Sequence, residues 1–234
     1  EYKRFVKIVS QRSGQPGINS KEYQSYTINF TSKEEQNKIA CLLENIDTLI
    51  NLESQNLTKL KQFKQSMLQK LFPRDGQTEP EVRFSGFSGE WQKVTLGELG
   101  HTYNGLSGKT KDDFGKGNAK YVTYMNVFKN TLATNTGTEL VEIDKSQNIV
   151  QYGDVFFTVS SETPYEVGMS SVWLFDERNI YLNSFCFGYR FGVKVNLYFS
   201  AYMLRSPMIR EQFTLLAQGI SRFNISKRKA MDIN

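Results

Sequence analysis

At 234 residues the chain is long enough for one core of ordinary size plus an appended element. With 17 Phe, 12 Tyr and 2 Trp it is too rich in aromatics for intrinsic disorder. A net charge of +5 and a pI near 9.0 favour an anionic partner without fixing one. Positive charge collects at the two ends: residues 1–31 carry five Lys/Arg against two acids and residues 91–234 sixteen against thirteen, with near balance between. Cys41 and Cys186 have no C-x-x-C spacing, which argues against a disulfide framework or zinc site and fits a reducing cytoplasm. No apolar run approaches the roughly 18 residues of a membrane span, and the N-terminus lacks the apolar stretch of a signal peptide.

The first clear element covers residues 32–72. Ser32 followed by Glu35 is a capping box: the hydroxyl accepts from the Glu35 N–H and the carboxylate reaches back to the cap. Ile39, Leu43, Ile46, Ile50, Leu57, Leu60, Met67 and Leu71 then form one stripe of 3-4 spacing, with Glu53 and Lys64 its only charged members. Leu42, Leu49 and Phe63 widen it to a face, and Pro73 stops the helix. Such a helix spans about 58 Å at the standard rise, too long for the interior of a compact domain. Its apolar face is therefore expected to pair with a second long helix, and the eight stripe residues are the candidate pairing interface.

Residues 74–90, with one proline and three glycines, read as a linker. A mixed α and β domain follows from Trp91. Strands are expected at 120–127, 154–159, 169–175 and 185–193, all rich in Val, Phe and Tyr. Residues 197–204 read as a helix, and Ser206-Pro207 opens another that ends near Gly219, with Ser at the N-cap and Pro at N1.

Gly14 to Ile28 aligns without gaps on Gly219 to Ile233, at an offset of about 205 residues: the glycine, the apolar-Asn pair and the final Ile coincide. The chain is thus expected to start in the tail of one domain and to reach the tail of the next, with a Glu-Glu-Gln-type helix start following Asn234 in the parent gene. The division expected is a first-domain tail at 1–31, a central spacer helix at 32–75 and a second domain with its linker at 76–234.

Glu34-Glu35-Gln36 with Lys38-Ile39-Ala40, then Leu43, Ile46-Asp47, Leu60-Lys61 to Lys64 and Leu68 to Phe72, resembles the central conserved region of type I restriction-modification specificity subunits. Trp91 with Leu96-Gly97-Glu98-Leu99, Gly153-Asp154-Val155-Phe156-Phe157 and Gly219 to Ile233 is similar to that family's second target recognition domain. The resemblance covers almost the whole chain. It implies an α/β (α+β) fold, in which a recognition domain of mixed small sheets and helices is attached to a long coiled-coil-like spacer helix. It also implies no catalysis in this chain, two recognition domains per parent subunit, each reading half of a split double-stranded DNA site, and two methyltransferase subunits docked on the conserved helices, with restriction subunits attached indirectly. S-adenosylmethionine, ATP and Mg would then belong to the partner subunits, and this chain would hold no cofactor of its own.

DNA affinity comes mainly from neutralised phosphates, and sequence choice from donors and acceptors offered to base edges. Gly105 to Lys111 is a glycine-rich basic loop without Walker spacing, and Lys109 and Lys111 can reach phosphates. Residues 121–129 alternate as a strand with Tyr124 and Asn126 on one face: Asn126 can hold adenine and Lys129 a phosphate, although one satisfied Asn in a buried strand fits equally well. Ser160, Ser161, Glu162 and Tyr165 form an abrupt polar loop after an apolar strand, where Glu can accept from cytosine N4. The last loop groups Arg222, Lys227, Arg228 and Lys229 around Asn224.

Other chemistry lacks its residues. There is no Pro-Pro for the Asn-Pro-Pro-aromatic motif of adenine methyltransferases and no P-loop, Asp112-Asp113 and Glu162 are not followed by a nuclease Glu-x-Lys pattern, and His101 is the sole histidine. The rival readings are a small DNA-modifying enzyme and a structural coiled-coil adaptor with an incidental basic surface. The helix face also allows two copies of the chain to pair.

Overall fold

The computed structural model describes every residue except Arg12, Ser13 and Asp75. It divides into two compact units, Glu1–Leu60 and Lys61–Asn234. Among the described residues no helix is long and apolar enough to cross a membrane.

In the first unit α1 (Tyr2–Val9) and α2 (Ser20–Gln24) precede α3 (Lys33–Lys70), a helix of 38 residues that runs on into the second unit. Asn19 caps α2 by a complete box with Glu22, and Tyr2, Tyr23, Tyr26 and Phe5 pack their rings together. Only half of the expected box opens α3. Ser32 Oγ accepts from the Glu35 N–H at 3.3 Å, but the Glu35 carboxylate takes the hydroxyl of Thr31, a nearer donor than the cap backbone. Along α3 no residue is buried. Ile39, Leu42, Leu43, Ile46, Leu49, Ile50, Leu57 and Leu60 all face solvent, from 42% exposed at Ile46 to 64% at Leu60.

In the second unit the end of α3 is stapled down. Lys70 and Arg74 both pair with Glu81, the Val82 N–H donates to the Lys70 carbonyl, and Phe72 packs on Trp91 and Phe199. The segment read as a linker is therefore folded back on the helix end. Met67 and Leu71 are partly covered and line an apolar hollow with Phe72, Phe84, Trp91 and Phe199. These two stripe residues serve their own unit, unlike the six before them.

The rest is three small sheets with helices packed against them. α4 (Leu96–Leu99) leads into β1 (Gly100–Asn104), and β2 (Phe114–Val122) is followed by α5 (Tyr124–Lys129) and β3 (Thr138–Val141). Then come β4 (Val155–Thr158), β5 (Ser160–Ser161), β6 (Ser170–Val172), β7 (Ile180–Leu182) and β8 (Cys186–Phe191). α6 (Leu197–Met203), α7 (Pro207–Leu216), β9 (Phe223–Asn224) and α8 (Lys227–Ala230) complete the unit. The sheet orders are β1-β8-β4-β6, all antiparallel; β3-β2-β7, with β2 and β7 parallel; and β5-β9, antiparallel.

The strand expected over 120–127 ends at Val122. Thr123 turns the chain into a helix by accepting the Asn126 N–H on its hydroxyl, so an N-cap prevails over the β-propensity of the Tyr and Val that follow. Ser206 and Pro207 do start α7, but the Ser206 hydroxyl is buried and makes no cap bond. The repeat has a structural echo. At an offset of 205, Tyr2 at the head of α1 falls on Pro207 at the head of α7, and α2 overlaps α8; exposed Ile28 falls on buried Ile233.

The central sheet carries a polar network around Asp154, which is fully buried. Asp154 accepts from the Tyr103 hydroxyl at 2.7 Å and from Arg190 through two nitrogens at 2.7 and 2.8 Å, and burial lifts the Tyr103 phenol well above its ordinary pKa. The Tyr103 ring lies flat on Gly188, where a Cβ would sit 2.0 Å from its Cζ. Gly188→Ala is therefore expected to cost about 1–3 kcal/mol by overpacking, seen as a lower urea midpoint at unchanged slope; an unchanged midpoint would show that the ring can move aside.

Candidate nucleic-acid interface

The two-stranded sheet β5-β9 unites two loops that lie some sixty residues apart. Ser160 pairs with Asn224 and Ser161 with Phe223. Reciprocal bonds between Gln218 and Asn224, both 2.9 Å, close the loop before β9, and the Ile225 N–H donates to the Val159 carbonyl at 3.0 Å. Gly219 permits that closure: its φ is +145°, and a Cβ there would lie 2.0 Å from the Arg222 carbonyl oxygen.

Arg222 extends across this sheet, and its Nε donates to Ser160 Oγ at 2.9 Å. Tyr124, at the head of α5, donates its hydroxyl to the Ser160 carbonyl at 2.8 Å from the other side. Glu166 accepts from the hydroxyls of Ser161 (3.2 Å) and Thr163 (2.9 Å), which folds residues 161–166 into an ordered turn. Glu162, Tyr165, Arg222 and Asn224 are exposed on the two segments that this sheet joins. An acceptor, a phenol, a guanidinium and an amide side chain are thereby offered on a fixed backbone, the set that base edges and phosphates require.

Several expected contacts are internal. Asn126 is buried, not on a strand face: its carboxamide donates to the carbonyls of Thr134 (2.7 Å) and Gly137 (2.9 Å) and accepts from Asn130 and the Thr134 N–H. Ser160 and Ser161 are buried, since a paired strand leaves their hydroxyls only Arg222 and Glu166 to serve. Tyr124 is half-buried with its hydroxyl committed. Lys109 is held by Asp144 at 2.8 Å, which raises the ammonium's pKa and drives that carboxylate well below its usual range. Lys227 is tied to the Asn104 side chain. Lys111, Lys129 and Arg228 are exposed on other elements: a 3-10 turn before β2, the end of α5 and the first turn of α8. Glu166 and Thr163 had no sequence signal beyond lying in a polar turn.

No protein-family model matches the sequence, and no curated protein matches it. Solved structures do match. The HsdS subunit from Thermoanaerobacter tengcongensis aligns at a TM-score of 0.53 and 16% identity over 98% of this chain. A chain from a structure described as the structural basis of complex assembly and conformational transition of the type I R-M system aligns at a TM-score of 0.59 and 18% identity over 99% of this chain. The fold is that of a type I S subunit. This chain spans 54% of the length of each of these two. The mixed α/β architecture with one long helix matches expectation, and the S-subunit fold positions the β5-β9 edge.

Asn126→Ala should lower stability by about 1–3 kcal/mol, because it strips five hydrogen bonds from a buried turn. Its affinity for duplex DNA, measured where the variant is fully folded, should match that of the wild type; a selective loss of DNA binding would return Asn126 to the interface.

Proposed function

We propose that this chain belongs to a non-catalytic DNA-specificity subunit of a type I restriction-modification system. Its second unit reads one half of a bipartite double-stranded target. The exposed face of α3 pairs with another long helix, and the pair docks two methyltransferase subunits, which would bring S-adenosylmethionine. Restriction subunits, bound through these, would bring ATP and Mg, all in the cytoplasm.

The observation that supports this reading is the β5-β9 pairing, which joins the segment of Glu162 and Tyr165 to that of Arg222 and Asn224 in a chain with an S-subunit fold. Arg can take guanine O6 and N7, Asn adenine N6 and N7, and Glu cytosine N4. Lys111, Lys129 and Arg228, exposed elsewhere on the unit, supply the sequence-independent attraction to phosphates.

Filter binding on a duplex of random sequence, between roughly 50 and 200 mM salt, tests the electrostatic part. Arg228→Ala should weaken binding and flatten the salt dependence by about 0.9 in log-log slope for its one phosphate contact, and Arg222→Ala should weaken it too. A wild-type chain that does not retain the duplex at all, or variants with unchanged affinity and slope, would leave an adaptor with an incidental basic surface as the better description.

A second reading has support in the exposed stripe. Two copies could pair α3 face to face and bring two recognition units into one particle. Sedimentation should then show a dimer that Ile46→Asp with Leu57→Asp converts to monomer; a wild-type monomer would assign the face to a different helix.

A further inference from the structure

Two arginines of the second unit are sunk into its interior, and the hydrogen bonds described for both go to backbone carbonyls. Arg205 donates to Ser170, Val127, Phe128 and Asn130, and so closes the C-terminal end of α5, where the helix dipole is negative. Arg210, on α7, donates to Gly168 at 2.7 Å, Tyr165 at 2.8 Å and Val167 at 2.5 Å. Its guanidinium also lies over the Phe213 ring, 5.5 Å from the centroid. Burial lowers its pKa to about 10, which still leaves it charged at neutral pH.

The loop that Arg210 grips follows β5 directly. From outside, Glu166 ties the turn together through Ser161 and Thr163; from inside, the carbonyls of Tyr165, Val167 and Gly168 converge on one cation. Gly168 closes the far end. Its φ is +67°, its N–H donates to the Thr158 carbonyl, and a Cβ there would lie 2.3 Å from Phe213 Cδ1. Between these anchors Tyr165 is 75% exposed, although its carbonyl is held from behind.

We propose that Arg210 is a positioning residue for DNA sequence selection: by holding the 165–168 backbone on α7 it fixes the height at which Glu162 and Tyr165 meet base edges. The inference rests on the DNA-reading function above. The guanidinium serves these carbonyls from two nitrogens held in one plane, one on Gly168 and the other on Tyr165 and Val167, a spread that lysine, with the same charge on a single nitrogen, does not reproduce.

The test uses the full chain and a pool of duplexes randomised over a central window, with the bound fraction sequenced and overall retention measured on a duplex of random sequence. Arg210→Lys should reduce discrimination between the preferred duplex and its single mismatches by about tenfold while changing retention of the random duplex less than about twofold. Arg190→Lys, which loosens the Asp154 network on the central sheet, serves as a control of similar thermal shift and should keep its discrimination. Tyr165→Ala, a surface change that leaves the core intact, should lose the same discrimination, and its combination with Arg210→Lys should lose no more. Discrimination that survives Arg210→Lys or Tyr165→Ala, or falls equally in Arg190→Lys, overturns the positioning role and leaves DNA reading standing. A wild-type chain that enriches no sequence overturns both.

Discussion

The second unit is organised around one aromatic stack. Phe157 of β4 lies on Phe187 of β8 at 5.1 Å between centroids and on Phe213 of α7 at 5.4 Å, with the edge of Tyr189 closing the third side. All four rings are at most 1% exposed. Burying such rings removes 150–250 Å² each from water and is the largest single contribution a small sheet can make to its own stability. The consequence is geometric: Phe213 pins α7 to the sheet, and from that helix Arg210 reaches the 165–168 loop while the chain beyond its end runs into β9. Both halves of the exposed edge hang from one hydrophobic anchor.

The division of labour among polar groups follows from that anchor. Groups near the sheet are dry and must be paired, so Ser160, Ser161 and Asn126 spend their hydrogen bonds inside. Glu162, one residue beyond β5, and the side chain of Asn224 on β9 are wet and remain available to a partner. Arg222 belongs to both classes. It holds a buried hydroxyl with one nitrogen and projects from the surface, which orients the guanidinium in advance and lowers the ordering cost of contact with any partner.

How much of this was legible in the sequence depended on the range of the interaction. Local signals worked: the 3-4 stripe and Ser32 located α3 within two residues, and Ser206-Pro207 opened α7. The 124–129 segment was misread because alternation of Tyr, Met, Asn and Val mimics a strand, whereas the deciding group was the Thr123 hydroxyl. Short strands such as β1 and β7 were missed, since three to five residues carry too little periodicity and owe their state to partners 60 to 90 positions away. The site was half visible for the same reason. Residue types pointed to both loops, but no pattern shows that Ser160 faces Asn224, or that a helical arginine serves carbonyls forty residues upstream.

The central claim is that residues 91–234 choose bases. The most direct measurement is methylome sequencing of cells that carry the parent gene, before and after this segment is exchanged for the matching segment of a type I S subunit. The account predicts a methylated motif in two parts, of which one changes on exchange while the other and the gap between them stay fixed. A motif unaffected by the exchange, or altered in both parts, would contradict it.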